Sequence, residues 1–253
     1  MGMFDDVKTP TDVKEDKDFV RGQKKEPLQS DIYNLMIKYA YGQKAGSGAL
    51  GIHLVLNTQD GQEIKVTEYI TSGNAKGNKT YYEKDKKDSS GNVVGKEKFN
   101  LPGFATIDSL AQIVLGKSIV SCDSEKRTIN LYNFDTKSEV PTEVDMLVEL
   151  IGKPVCAAVL YQIQDKNSKN LQTGAYEPTG QTYSTNTIDK FLSPDERKTA
   201  AEIANKIPAD FAEKWLAKWK GQIDDQSTEV KSAGLKGAPV ASGDAAPKSS
   251  LFG

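Results

Sequence analysis

The sequence predicts a mainly β, α+β fold: a five-stranded Greek-key barrel with an inserted basic hairpin and added helices. Three observations predict it. Three consecutive segments alternate apolar and polar residues across short turn-rich loops, helical patterns come after them, and two further strand patterns complete the series. With 253 residues, 37% hydrophobic side chains and 21 Gly, the chain can bury one sizeable core and still has polar segments to spare.

Residues 1–27 are dense in mixed charge and poor in apolar side chains, so they read as a mobile arm. The barrel domain is expected over 28–192. Ile32 to Tyr41 alternates, with Tyr33, Leu35, Ile37, Tyr39 and Tyr41 on one face and Asn34 and Lys38 on the other. Ala49 to Asn57 points Leu50, Ile52, Leu54 and Leu56 one way. Asp60-Gly61 marks a tight turn into Glu63 to Ile70, where Ile64, Val66 and Ile70 share a side. These three strands make an antiparallel meander. A polar stretch comes next, with Thr80–Lys84 and Lys96–Phe99 as the arms of a hairpin tipped by Asp85 to Gly95.

Phe104 to Leu115 places Ile107, Leu110, Ala111 and Val114 at helical spacing, and Gly116 stops it. Thr128–Phe134 reads as a short strand. Pro141-Thr142-Glu143 is expected to open a second helix through Met146, Leu147 and Leu150. Lys153–Gln164 is a buried strand, Asn167–Thr182 a loop and Tyr183–Phe191 the last strand. Residues 193–222 hold two helices broken at Pro208, the first starting at Ser193-Pro194 with Ser as cap and Pro at the first helical position. Residues 223–253 are rich in Ser, Ala, Gly, Pro and Lys and read as a flexible tail. A meander, then helices, then two more strands is the order of an OB-like barrel; a β-sandwich is the alternative.

Composition narrows the function. The 33 basic and 35 acidic residues give net −2, so no global charge announces a nucleic-acid or membrane partner. The longest apolar run, Val155–Tyr161, is far shorter than the ~20 residues a bilayer span needs. With no export signal pattern, a soluble, unexported chain is expected. Cys122 and Cys156 form no disulfide framework, which suits a reducing compartment. One His, His53, and two distant Cys cannot assemble an ordinary zinc site, so neither metal nor cofactor is expected.

Two motifs fail in context. Gly46-Ser47-Gly48-Ala49-Leu50-Gly51 spells a dinucleotide fingerprint but runs into a strand, where the motif needs a helix N-terminus. Gly116-Lys117-Ser118 echoes a phosphate loop but lacks the first Gly and comes after a helix. No G-x-S-x-G nucleophile elbow is present. Glu143, Asp145 and Glu149 could serve a metal-dependent nuclease but equally suit a solvated face. No enzyme is expected.

One constellation survives. Between Lys65 and Phe99, eight Lys stand against five acidic residues, +3 in a chain of net −2, with Tyr69, Tyr81, Tyr82 and Phe99 interleaved. Cations tracking phosphates and flat rings under unstacked bases are what hold single-stranded nucleic acid. Alternation places Lys38, His53, Lys65 and Tyr69 on an outer face continuous with the basic hairpin, the face OB barrels use for oligonucleotides. A solvated Lys-rich hairpin, with Tyr81 or Tyr82 covering core, is the plainer alternative. On the C-terminal helix, Phe211, Trp215, Trp219 and Ile223 recur every four residues, a stripe that either docks on the barrel or contacts a partner.

The runs Gly77-Asn78-Lys79-Thr80-Tyr81-Tyr82, Lys98-Phe99-Asn100-Leu101-Pro102-Gly103-Phe104 and Thr185-Asn186-Thr187-Ile188-Asp189-Lys190-Phe191 resemble the single-stranded DNA-binding proteins of lytic tailed bacteriophages, over roughly Leu28 to Phe191. The resemblance implies a non-catalytic OB-fold viral protein, in the cytoplasm of an infected bacterial host. It would coat single-stranded DNA without sequence preference during replication, recombination and repair. It implies Tyr81, Tyr82 and Phe99 as stacking rings and Lys79, Lys84 and Lys98 as phosphate contacts, with Lys76 in the same basic segment. Trp215, Trp219 and Phe252 become candidate contacts for replication, recombination or transcription proteins, or for a second protomer. Many proteins of this function end in a strongly acidic tail; Gly221–Gly253 carries four acidic residues against three Lys, so recruitment through charge departs from the pattern. A non-catalytic adaptor that binds other proteins is the second expectation.

Overall fold

The computed structural model describes residues 26–133, 136–228 and 239–241. Most of the expected arm and tail, with Phe252, lies outside the described residues. Strand accounts for 50% of the structure and helix for 19%, so the chain is mainly β. Strands β1 (Asp31–Lys44), β2 (Leu50–Thr58) and β3 (Glu63–Tyr69) form the expected antiparallel meander. Strands β4 (Tyr81–Lys87) and β5 (Val93–Asn100) make a separate two-stranded ribbon. Helix α1 (Pro102–Leu115) is next, then β6 (Glu125–Asn133), β7 (Ser138–Met146), β8 (Pro154–Lys169) and β9 (Tyr176–Leu192). Helices α2 (Ala200–Asn205) and α3 (Asp210–Trp219) lead to the short strands β10 (Gln222–Asp225) and β11 (Pro239–Ala241).

The long β1 organises the sheet. One edge pairs with β2 from Leu35 to Lys44; the other takes β8 along Asp31–Met36 and β7 at Tyr41–Gly42. The order β3-β2-β1-β8-β9 therefore curves around one core, but β3 and β9 share no ladder and the sheet stays open. Residues 26–28 reach across this gap. Gln62 Nε2 donates to the Glu26 carbonyl at 3.2 Å, and the Asn186 side chain accepts from Leu28 N and donates to Leu28 O, both at 2.8 Å. A cavity of about 470 Å³ remains between Gly61–Lys65 and Ser184–Asn186.

Ile37, Leu54, Leu56, Ile107, Leu110 and Phe191 are fully buried in the main core. Helix α1 supplies two of them, because its apolar residues fall on one face. Pro102 sits at its start and Gly116 closes it in the left-handed conformation. On the opposite side of β1 and β8, α3 builds a second core: Trp215 and Trp219 pack with Ile32, Cys156, Ala158 and Leu160.

Four expectations need correction. The helix expected over 141–150 is β7 and a 3-10 turn at Val148–Leu150. Val140, Thr142, Val144 and Met146 alternate with period two, and Pro141 is tolerated where β7 has a neighbour on one side only. The loop expected over 167–182 is mostly the continuation of β8 and β9 as a ribbon, turned at Asn170–Ala175. Its residues are exposed on both faces, so no hydrophobic alternation betrays it; backbone pairing alone makes the strand. The helix start expected at Ser193 is a turn. Helix α2 begins instead behind Thr199, whose hydroxyl accepts from Glu202 N while Glu202 accepts from Thr199 N, a capping box. The first residues of the expected tail, 223–225, belong to β10, parallel to β8 at Ile223 opposite Tyr161. Buried Ser30 secures it, donating to the Gln222 carbonyl at 2.6 Å and accepting from Tyr161 N at 2.8 Å.

Candidate functional site

The site begins on the outer face of β1–β3. The register of β1 against β2 shifts between Ile37 and Tyr39, so Lys38 is an extra residue. This bulge flips the alternation. Leu35, Ile37 and Ala40 face the core, while Tyr39 and Tyr41, expected beside Leu35, turn to the outer face. Cross-strand rows then read Tyr39–Val55–Lys65, Tyr41–His53–Thr67 and Gln43–Gly51–Tyr69. His53, Lys65 and Tyr69 thus lie where alternation puts them. His53 stacks on Tyr41 with ring centres 4.9 Å apart and its Nδ1 meets Thr67 Oγ1 at 2.9 Å. Burial pushes the His53 pKa below its ordinary 6.5, so at neutral pH the ring is uncharged and offers no cation to a phosphate. Lys38 is tied to Glu63 at 2.6 Å.

At the end of this face the chain forms a cleft of about 420 Å³ that collects Tyr69, Lys76, Lys79, Tyr81 and Tyr82. Five of the residues singled out in the sequence therefore share one concavity. Its walls are held by backbone. Ser72 N donates to Lys79 O at 2.9 Å, Leu101 N to Thr80 O at 2.8 Å, and Asn74 N to Ser47 O at 2.9 Å. The glycines of the false dinucleotide motif serve this contact. Gly48 has φ +77 and a Cβ there would stand 2.3 Å from the Asn74 side chain; a Cβ on Gly51 would stand 3.2 Å from the Tyr69 ring.

Gly103, at the start of α1, has the tightest such contact with backbone. A Cβ would lie 2.4 Å from the Tyr69 carbonyl oxygen and 3.0 Å from Glu68 Oε2. Gly103→Ala must push α1 away from the end of β3, and we expect a loss of about 1–3 kcal/mol in urea unfolding. A variant as stable as wild type would show that this approach is not tight.

The β4–β5 ribbon extends the cleft outward. Tyr82 pairs with Phe99 across the strands, ring centres 5.8 Å apart and planes 28° apart. Lys84 Nζ lies 5.4 Å from the Tyr82 centroid and 5.6 Å from that of Phe99. Tyr81 points the other way, with Lys98 at 4.8 Å and Lys79 at 5.6 Å from its centroid. Both faces of the ribbon thus carry a ring with cations over it. The cations divide into two sets. Lys86 pairs with Glu97 at 3.3 Å and Lys96 with Glu83 at 3.8 Å, whereas Lys79, Lys84 and Lys98 stand over rings and form no salt bridge among the described residues.

The β6–β7 hairpin, read in part as a helix in the sequence, covers the other end of the outer face. Ile129 and Leu131 pack beside Tyr41, Val144 and Met146 and leave a groove of about 440 Å³ against Tyr39, Val55 and Lys65. Sequence reasoning missed Tyr39 as an outer-face ring; the signal was Ala40, a small residue at a position alternation gives to solvent, which marks the bulge.

The expected partner contacts fall elsewhere. Trp215 is 4% and Trp219 8% exposed, and the Trp215 indole donates to Asp189 at 2.7 Å, so both rings belong to the second core rather than to a surface. Within the described residues no helix is long and apolar enough to cross a membrane. The geometry defines a surface of exposed and half-exposed rings beside ammonium groups that form no salt bridge among the described residues. No family model and no curated protein matches this chain.

Proposed function

We propose that this chain binds single-stranded DNA without sequence preference, stacking bases on Tyr81, Tyr82, Phe99 and Tyr69 and meeting phosphates with Lys76, Lys79, Lys84 and Lys98. The observation that carries the reading is the β4–β5 ribbon, where Lys84 and Lys98 stand over rings on opposite faces and form no salt bridge among the described residues. An isolated two-stranded ribbon is marginally stable in water, and a bound strand gives such exposed rings a partner. The strand order β3-β2-β1-β8-β9, with α1 packed into the core against both β3 and β9, supports reading the sheet as an OB-like barrel left open between β3 and β9. With the resemblance noted in the sequence, this favours a phage protein that coats single strands in the infected host during replication, recombination and repair, with no catalysis and no cofactor.

Fluorescence anisotropy of labelled oligo-dT across a salt series tests the proposal. Four Lys–phosphate contacts predict a log–log slope of about −3, at ~0.7 per contact on single strands. No binding at low salt would overturn it. The rival, a protein-binding adaptor, draws on the tip of the β8–β9 ribbon, where Leu171 is 96% and Tyr176 72% exposed.

A further inference from the structure

We infer that the groove between β6 and the outer face of β1–β3 is a second subsite, taking one unstacked nucleobase of the same bound strand. This rests on the single-strand reading above. The groove encloses about 440 Å³, within the range of small-ligand sites. Tyr39 and Val55 line it from the sheet, and Ile129 and Leu131 from β6. Lys38, Lys65 and Glu63 also line it. A groove lined by a ring, by aliphatic side chains and by two ammonium groups suits a base against the ring and its phosphates against the cations.

Tyr39 supplies the stacking ring. It is 41% exposed, where Tyr41 two positions on is buried against His53. Lys38 Nζ lies 5.7 Å from the Tyr39 centroid. Glu63 bonds Lys38 at 2.6 Å and stands 4.0 Å from Lys65, so one carboxylate faces two ammonium groups and the rim stays positive.

The groove and the cleft at the ribbon root lie on the same outer face, with the Tyr41–His53–Thr67 row between them. From Lys65 in the groove row to Tyr69 in the cleft is four residues along β3, about 13 Å at strand rise. That distance holds about four nucleotides at 3.4 Å each, fewer if the strand is stretched. The strand would run from Tyr39 past Thr67 to Tyr69 and onto the ribbon.

The test uses the full chain and labelled oligo-dT of increasing length, from about 4 to about 20 nucleotides, in anisotropy titrations. Tyr39→Ala is expected to weaken binding of the longest oligonucleotide by about 5- to 150-fold. It should leave the shortest, which the ribbon and cleft hold alone, unchanged, and Tyr39→Phe should restore the long-oligonucleotide affinity. Leu131→Glu, which puts a carboxylate in the slot, should give the same length-dependent loss; circular dichroism checks that each variant is folded. Wild-type affinity of both variants for every length would overturn the inference, as would a loss equal at all lengths. If Tyr81→Ala weakens binding while Tyr39→Ala does not, the groove fails and the single-strand reading stands. If wild type binds no oligonucleotide, both fall together.

Discussion

Tyr81→Ala combined with Tyr82→Ala is expected to weaken oligo-dT binding by about 2–6 kcal/mol, since each base–ring stack is worth ~1–3 kcal/mol. The effect should be the same on mixed-sequence oligonucleotides, because every base has a face to stack. The two rings point to opposite sides of β4, so each substitution alone should act, and the pair should add nearly in full. Stability should barely change. The ribbon contributes no residue to the described cores, so truncating its rings removes only the area that half-buried Tyr81 and Tyr82 cover at the cleft and against Phe99. Anisotropy titration with a thermal melt alongside checks both halves. A double variant that keeps wild-type affinity would place the binding surface elsewhere; one that unfolds would mean that the rings support the barrel.

Trp215→Ala should do the reverse. Removing a buried Trp costs about 3–5 kcal/mol through lost contacts and the cavity left between α3 and the sheet. The indole also bonds Asp189, the residue β9 gains where its register against β8 shifts between Lys190 and Ile188. The melting temperature should fall by roughly 6–20 °C, while the folded fraction binds oligo-dT like wild type. Trp215→Phe, which keeps most of the packing but loses the indole donor, should fall in between. Unchanged stability with loss of a protein partner would restore the partner contact, the alternative to docking on the barrel.

Much of the fold was legible because burial writes a period into the sequence. Ile52, Leu54 and Leu56 alternate and are in the core; Ile107, Leu110 and Ala111 keep helical spacing and are in the core. The β8–β9 ribbon was not legible, since residues exposed on both faces leave no pattern and are held by backbone bonds that any side chain permits. Strand β7 was misread because Pro141 and Glu143 imitate a helix start and mask the period-two alternation of Val140, Thr142, Val144 and Met146, which pairing with β6 makes plain. In the site, the ring-and-cation composition of the ribbon was plain. Tyr39 was not, because one extra residue at Lys38 reverses the face of everything after it.

The sequence by itself determined that this chain is mainly β, that a meander precedes α1, and that rings and lysines gather between Lys65 and Phe99. Those are local properties, set by spacing and composition. Tertiary structure alone decided which of those residues meet. Backbone bonds between distant loops bring Tyr69, Lys76, Lys79 and Tyr81 into one cleft. Packing against β1 and β8 turns Trp215 and Trp219 inward, into the second core. Local spacing encodes only that a face is apolar; which segments pair, and which apolar face meets which, is decided between segments far apart in the chain.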